Sequence, residues 1–222
     1  MTPSLEPPHT DLATAIDRIK RELAAADVLA LPNNATQRER AACIKAWSYV
    51  WLSAAVEQFV TTLLQAVLLE INTQALAPAS MSMSLLAMLF GSEFQSLQSR
   101  RGLKDWEKRL EILALVEGGD HIPFNTTVLP LDGRTIGPDH LGVIWSAFGF
   151  DGSPIPSGRH RDALKELREG RNAVAHGREE PVSFGRRKTA GDVMGMVDLI
   201  EDIADNFMVT ADDFLQSKAY AR

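Results

Sequence analysis

The sequence predicts an all-α protein: a helical bundle built round one long central helix, with an irregular insertion in its middle. Three observations predict it. Apolar residues recur at steps of three and four through most of the chain. Capping patterns and Gly or Pro stops bracket those runs. Helical periodicity lapses over any length only between Asp120 and Gly137. With 45% hydrophobic and 23% charged residues, the composition is that of a chain with a packed core.

The elements follow in order. Pro3, Pro7 and Pro8 sit in a short polar stretch, so residues 1–10 are expected to form a flexible tail, leaving 11–222 as a single domain. Leu12, Ile16, Ile19 and Leu23 form one apolar stripe of a first helix, which Pro32-Asn33-Asn34 breaks. Thr36-Gln-Arg-Glu39 has the form of a capping box, in which hydroxyl and carboxylate satisfy reciprocal backbone N–H groups. The helix it opens is expected to run to about Asn72, with Trp47, Trp51, Ala55, Phe59, Leu63, Val67 and Ile71 in register. It is apolar over much of its circumference and should be the most buried element.

Shorter helices are expected over 83–98 and 103–117, the second ended by Gly118-Gly119. Asp132-Gly133, between Val128-Leu129 and Ile136, has the form of a small hairpin turn. Gly137-Pro138 starts a helix carrying Leu141, Ile144, Trp145 and Phe148. After a loop over 149–158 comes a helix with Leu164, Leu167 and Val174 on its apolar seam. Thr189-Ala-Gly-Asp192 is a second capping-box pattern, opening a final helix with Val193, Val197, Ile200, Ile203, Ala204 and Phe207 inside.

Several functional classes recede. The N-terminus has neither a basic start nor an apolar run, so no secretory signal is expected. The most apolar stretch, 46–71, is interrupted by Glu57, Gln58, Gln65 and Glu70 and is taken as a buried helix, not a membrane span. The single cysteine, Cys43, excludes an intrachain disulfide and fits a core thiol in a reducing, cytoplasmic setting. The tryptophans and methionines are taken as core fillers. His121 and His140 lack ligand-like spacing, so no metal site is expected. The net charge of -6 argues against broad nucleic-acid binding, but its distribution does not. Residues 159–188 hold nine Lys/Arg against five acids, +4, which leaves the remainder at -10.

That basic segment contains the one constellation fit for chemistry: Arg171, Asn172 and His176 near the end of a helix that Gly177 can terminate. On an ideal helix Arg171 and His176 lie about 140° apart round the axis. They converge only if the helix breaks between them or a second chain supplies a partner pair. A histidine in a last turn also feels the negative end of the helix dipole, which favours its protonated form.

Arg171-Asn172-Ala-Val-Ala-His176-Gly177 resembles the Arg-X4-6-His motif of HEPN-domain ribonucleases. Its surroundings resemble the RiboL-PSP-HEPN branch: an acid, Glu57, lies among apolar residues of an earlier long helix, and the irregular stretch 136–145 is similar to that branch's middle region. The resemblance spans roughly 40–207 and implies a HEPN-like bundle that cleaves RNA without metal or other cofactor. In such enzymes the 2′-hydroxyl attacks the adjacent phosphate, leaving a cyclic phosphate and a 5′-hydroxyl. The residue types suit this: histidine moves the proton, the arginine fork holds the phosphate, and Asn172 orients either one. Arg168 and Arg178 flank the motif as substrate-binding groups. Glu57 is assigned a supporting hydrogen bond to the motif helix.

The resemblance further implies a homodimer with paired motifs, an antitoxin or defence-system partner, and the role of a bacterial toxin or phage-defence effector, with no membrane involved. In a related toxin–antitoxin group a tyrosine, modified by the antitoxin, follows two positions after the histidine; here that position is Arg178, so this regulation is not carried over. A second reading stands beside the nuclease: a non-catalytic interaction or RNA-binding module that keeps the motif for dimerisation. Without the surrounding motif, an Arg/His pair would simply cap a helix. His160 is taken as a solvated loop residue, and Arg186-Arg187-Lys188 as a solvated basic loop.

Overall fold

The computed structural model describes residues 2–30 and 34–222. They form nine α-helices: α1 (Glu6–Ala30), α2 (Ala35–Thr73), α3 (Met83–Leu89), α4 (Gly91–Leu97), α5 (Leu103–Glu117), α6 (Pro138–Phe148), α7 (Gly158–Ala175), α8 (Pro181–Arg186) and α9 (Ala190–Gln216). Among the described residues there is no strand, only an isolated antiparallel bridge between Met81 and Ala221. The all-α expectation holds. The hairpin near Asp132 does not form: Asp132 Oδ1 instead accepts the Arg134 N–H at 3.0 Å and closes a turn.

α2 is the axis of the bundle, with α1, α7, α8 and α9 packed against it. Its N-cap is Asn34, whose Oδ1 accepts the Gln37 N–H at 3.3 Å. Of the expected break at 32–34, Pro32 and Asn33 lie outside the described residues. The Thr36–Glu39 box is not made, because Thr36 already lies in the first turn and Glu39 pairs with Arg186 at 3.1 Å. The length and composition of α2 would allow a membrane crossing, its apolar window averaging a hydropathy of 1.5, but half of that window is buried in the bundle.

The expected seam of α2 is right from Phe59 onward and wrong before it. Phe59, Leu63, Val67 and Ile71 are buried, whereas Trp47 and Trp51 are 44% and 48% exposed. A helix apolar all round does not reveal by period which face is covered. The first half buries Ala42, Ala46, Tyr49, Leu52 and Val56 instead. Not all tryptophans and methionines fill the core, since Trp106 and Met83 are also exposed. Cys43 is only half-buried, and burial raises its thiol pKa, which makes it a poor nucleophile.

The expected flexible tail is structured. Residues 3–5 form a 3-10 turn, and Pro7 and Pro8 fit the first turn of α1, where a missing N–H costs nothing. Leu5 is fully buried, and Thr2 donates through its N–H and hydroxyl to Asp212 at 2.6 and 2.7 Å. The single helix expected over 83–98 is two, α3 and α4, meeting at buried Phe90. The later elements match expectation: α6 starts at Pro138, and the Thr189–Asp192 box opens α9 with both reciprocal bonds made. The irregular segment between α5 and α6 is tied to the end of α2. There the Asn72 amide donates to Phe124 O (3.0 Å) and accepts the Phe124 N–H (2.7 Å).

Two glycines set how closely α7 and α8 approach α2. A Cβ at Gly170 would stand 2.3 Å from the Tyr49 ring, and one at Gly185 only 1.9 Å from the Ala42 carbonyl oxygen. Alanine for glycine in an exposed helix interior gains about 1 kcal/mol; here the sign should reverse. Gly170→Ala should cost roughly 1–3 kcal/mol by overpacking, and Gly185→Ala more, because backbone cannot swing aside. Urea unfolding checks both, and a raised midpoint for either variant would contradict this packing.

A candidate active-site cleft

α7 carries the motif, and its inner face is built from Ala163, Leu164, Leu167, Gly170 and Val174, all buried. Contacts place its direction relative to α2. Glu166 accepts a 2.7 Å hydrogen bond from the Tyr49 hydroxyl, and Gly170 lies against the Tyr49 ring. α8 closes on the same spot, with Phe184 edge-on to Tyr49 at 5.1 Å. Lys188 Nζ adds a 2.7 Å bond to Glu166, and its carbonyl accepts from Lys45 Nζ. Tyr49, Glu166 and Lys188 therefore fasten the α7–α8 hairpin to α2, one turn before the motif begins.

Glu57, expected to support the motif helix, does not. Its carboxylate accepts from Ser53, one turn back on its own helix, at 3.1 Å. It lies eight residues beyond Tyr49, about 12 Å along α2. The acid that holds the motif helix is Glu166. Arg186, Arg187 and Lys188 are likewise not a free basic loop: they pair with Glu39, Glu179 and Glu166.

The end of α7 resolves the separation of Arg171 and His176. The helix stops at Ala175, His176 is its cap (φ -92°, ψ 7°), and Gly177 takes φ +64°. Released from helical register, His176 comes within reach of the long Arg171 side chain in the same chain. Arg171 Nη1 donates to Asn172 Oδ1 and to His176 Nε2, each at 3.2 Å. A guanidinium has no acceptor, so Nε2 must present its lone pair and the ring is neutral with its proton on Nδ1.

Arg168, Arg171, Asn172, His176 and Arg178 all open onto one cleft of about 1050 Å³. Its other wall is residues 129–135 with Asp139, His140 and Val143 of α6, none of them expected as site residues. That wall is fixed from within. His140 Nδ1 accepts the Gly137 N–H at 3.2 Å, so its Nε2 is the protonated nitrogen and donates to Asp132 at 2.9 Å. Bonds from His140 and the Arg134 N–H hold the Asp132 carboxyl below the usual range. The walls meet where the Arg168 side chain lies over Gly137, leaving 3.1 Å to the place of a Cβ. Lacking periodicity, this wall offered only its position before α6 as a sequence signal.

The remaining candidates lie elsewhere. His160 is held by Ser157 (2.7 Å) and Asp202 (3.3 Å) at the start of α7, in the order of a hydrolytic triad but lining neither of the clefts found. Among the described residues no group of three or more His, Cys, Asp or Glu is placed to hold a metal ion. A family model described as HEPN_MAE_28990-like HEPN matches residues 8–220. No curated protein and no solved structure matches the chain.

The fastening of the motif helix is pH-dependent in a determinable sense. Burial works to raise the Glu166 carboxyl, but the hydrogen bonds from Lys188 and Tyr49 and the Lys188 charge hold it below the ordinary glutamate range. Burial and the bond to Glu166 push the Tyr49 phenol far up, so it remains the donor. A depressed folded-state value contributes stability above the unfolded value, about 4.3, that is lost as pH falls through the folded one. Glu166→Gln should therefore lower stability at pH 7 by on the order of 1 kcal/mol, allowing for solvent screening of a partly exposed carboxylate. The gap should close below about pH 4. Urea titrations at both pH values check this, and an equal gap at both would assign the loss to packing.

Proposed function

The chain belongs to the HEPN family, and on that premise we propose that it is a metal-independent endoribonuclease acting through Arg171 and His176. One observation carries the reading. Arg171 is half-buried at the wall of the cleft, and its only hydrogen bonds among the described residues go to neutral acceptors, Asn172 and His176. A buried guanidinium normally finds a carboxylate. Its neighbours in the cleft, Arg168 and Arg178, also have no carboxylate partner among the described residues. Three guanidinium groups without a carboxylate partner among the described residues, on a cleft that also carries Asp139 and Glu169, offer donors for phosphate.

The contact between Arg171 and His176 suggests the order of events. An entering phosphate takes the Arg171 N–H groups, because an anionic oxygen is a better acceptor than an imidazole nitrogen. His176 Nε2 is then free to accept the proton of the ribose 2′-hydroxyl. The 2′-oxygen forms its bond to phosphorus, the bond to the 5′-oxygen breaks, and Arg171 neutralises the charge on the phosphoryl oxygens. The departing 5′-oxygen takes up a proton, which a second motif facing across a homodimer supplies from its own His176 in the imidazolium form, while the first His176 keeps the proton taken from the 2′-hydroxyl. Since one chain already joins Arg171 to His176, this requirement replaces their separation as the reason for a dimer. Such an activity suits a toxin or phage-defence effector kept in check by a partner. The same Arg–His contact, if permanent, would block the imidazole and leave an RNA-binding module.

Purified protein should cut total RNA in excess EDTA, leaving cyclic-phosphate ends. Arg171→Ala and His176→Ala should each slow cleavage several hundredfold, the effect of losing about 3–4 kcal/mol of transition-state stabilisation, with unchanged circular dichroism. Arg168→Ala and Arg178→Ala should weaken binding and flatten the salt dependence. Cleavage at an undiminished rate by either motif variant would remove the site assignment. Activity lost in EDTA and restored by magnesium would reject the mechanism.

A further inference from the structure

We propose that the wall facing the motif is a base-reading subsite for single-stranded RNA, in which Asp139 selects guanine. The proposal rests on reading the cleft as an RNA site and adds to it the identity of the neighbouring base. Asp139 and Val143 are one turn apart on α6 and both line the cleft. Val143 is 56% exposed there, an apolar surface that a base can cover with its face. The Asp139 carboxylate has no ion pair or side-chain hydrogen bond among the described residues. An unpaired carboxylate in the first turn of α6, favoured there by the helix N-terminus, opposes phosphate binding at this end of the cleft and suits a ligand that donates. Guanine does: its N1–H and N2–H₂ point in parallel along one edge and match the two oxygens of a carboxylate, whereas the other bases present a single donor group on that edge.

Thr135 supplies a second, independent observation. It belongs to the same wall, is only 6% exposed, and its hydroxyl has no hydrogen-bond partner among the described residues. A buried hydroxyl without a partner costs roughly 1–3 kcal/mol, a cost relieved if a ligand entering the cleft turns the Thr135 side chain toward itself. Both groups stand on a wall whose shape is set by the Asp132–His140 bond, as a site that discriminates between bases requires. The cleft, about 1050 Å³, has the size to enclose a base and its flanking phosphates. A duplex hides the edge in question within its base pairs, whereas a splayed single strand presents it.

The test uses the full chain carrying His176→Ala, so that binding is read without cleavage. Labelled single-stranded RNA hexamers that differ at one central base, guanine, inosine or adenine, are titrated by fluorescence anisotropy. Guanine should bind about tenfold or more tightly than adenine, with inosine, which lacks the N2 amino group, in between. Adding Asp139→Asn should reduce the guanine preference to within about twofold at unchanged circular dichroism. Adding Thr135→Val should leave the free protein at least as thermally stable and weaken binding of the guanine hexamer. Equal affinity for guanine and adenine, a preference that survives Asp139→Asn, or undiminished binding by Thr135→Val would each overturn the subsite. A guanine preference in a protein that fails to cut RNA would leave the subsite standing and remove the nuclease; cleavage without preference would do the reverse.

Discussion

The close approach of the α7–α8 hairpin to the first half of α2 is the constraint on which the rest of the site depends. Gly170 and Gly185 permit it, since neither position has room for a methyl group. The Tyr49–Glu166–Lys188 cluster then fixes it with three partly buried groups whose hydrogen bonds satisfy one another. A polar cluster of this kind adds little net stability but penalises any sliding of one helix along the other, because each partner would lose its only acceptor or donor. The motif follows one turn later, at the C-terminal end of α7. Its position is thus decided by contacts in which Arg171 and His176 take no part.

The charge of the motif region separates into two populations. Arg186, Arg187 and Lys188 spend their charge on Glu39, Glu179 and Glu166, and so belong to the architecture. Arg168, Arg171 and Arg178 face the cleft with no carboxylate partner among the described residues. The cleft lining, with Arg134, Arg168, Arg171 and Arg178 against Asp132, Asp139 and Glu169, is therefore weakly positive on a chain whose net charge is -6. For a polyanion this arrangement combines local attraction with repulsion elsewhere, which confines binding to the cleft.

How much of this was legible in the sequence depended on whether a feature had a period or a local chemistry. The amphipathic helices α1, α6 and α9 were, because one face of each is apolar, and the starts of α6 and α9 are written in neighbouring residues. The motif was legible for the same reason, being contained within seven residues. The covered face of α2 was not, since Trp47 and Tyr49 are equally apolar and only the tertiary contacts choose Tyr49. Nor was the supporting acid: Glu57 and Glu166 are both glutamates on helices, and the choice turns on a hydroxyl 117 residues away from Glu166. The N-terminal prolines suggested a flexible tail because a proline in a first helical turn and one in a loop look alike until the turn is seen.

The stretch 129–137 had no helical period, yet together with the start of α6 it forms half of the cleft. Its shape comes from a separate set of bonds: Asn72 to Phe124 at the base of the segment, and His140 to Gly137 and Asp132 near its tip. None of these groups belongs to the cluster that fixes α7. The walls touch at the cleft through the Arg168 side chain over Gly137, and behind it Ile136 and Leu141 join the common core. On the function proposed above, chemistry and recognition would rest on different supports. Substitutions among the cleft-lining residues of 129–143 would then change which base is received without disturbing Arg171 and His176, provided Asp132 and His140 keep the turn.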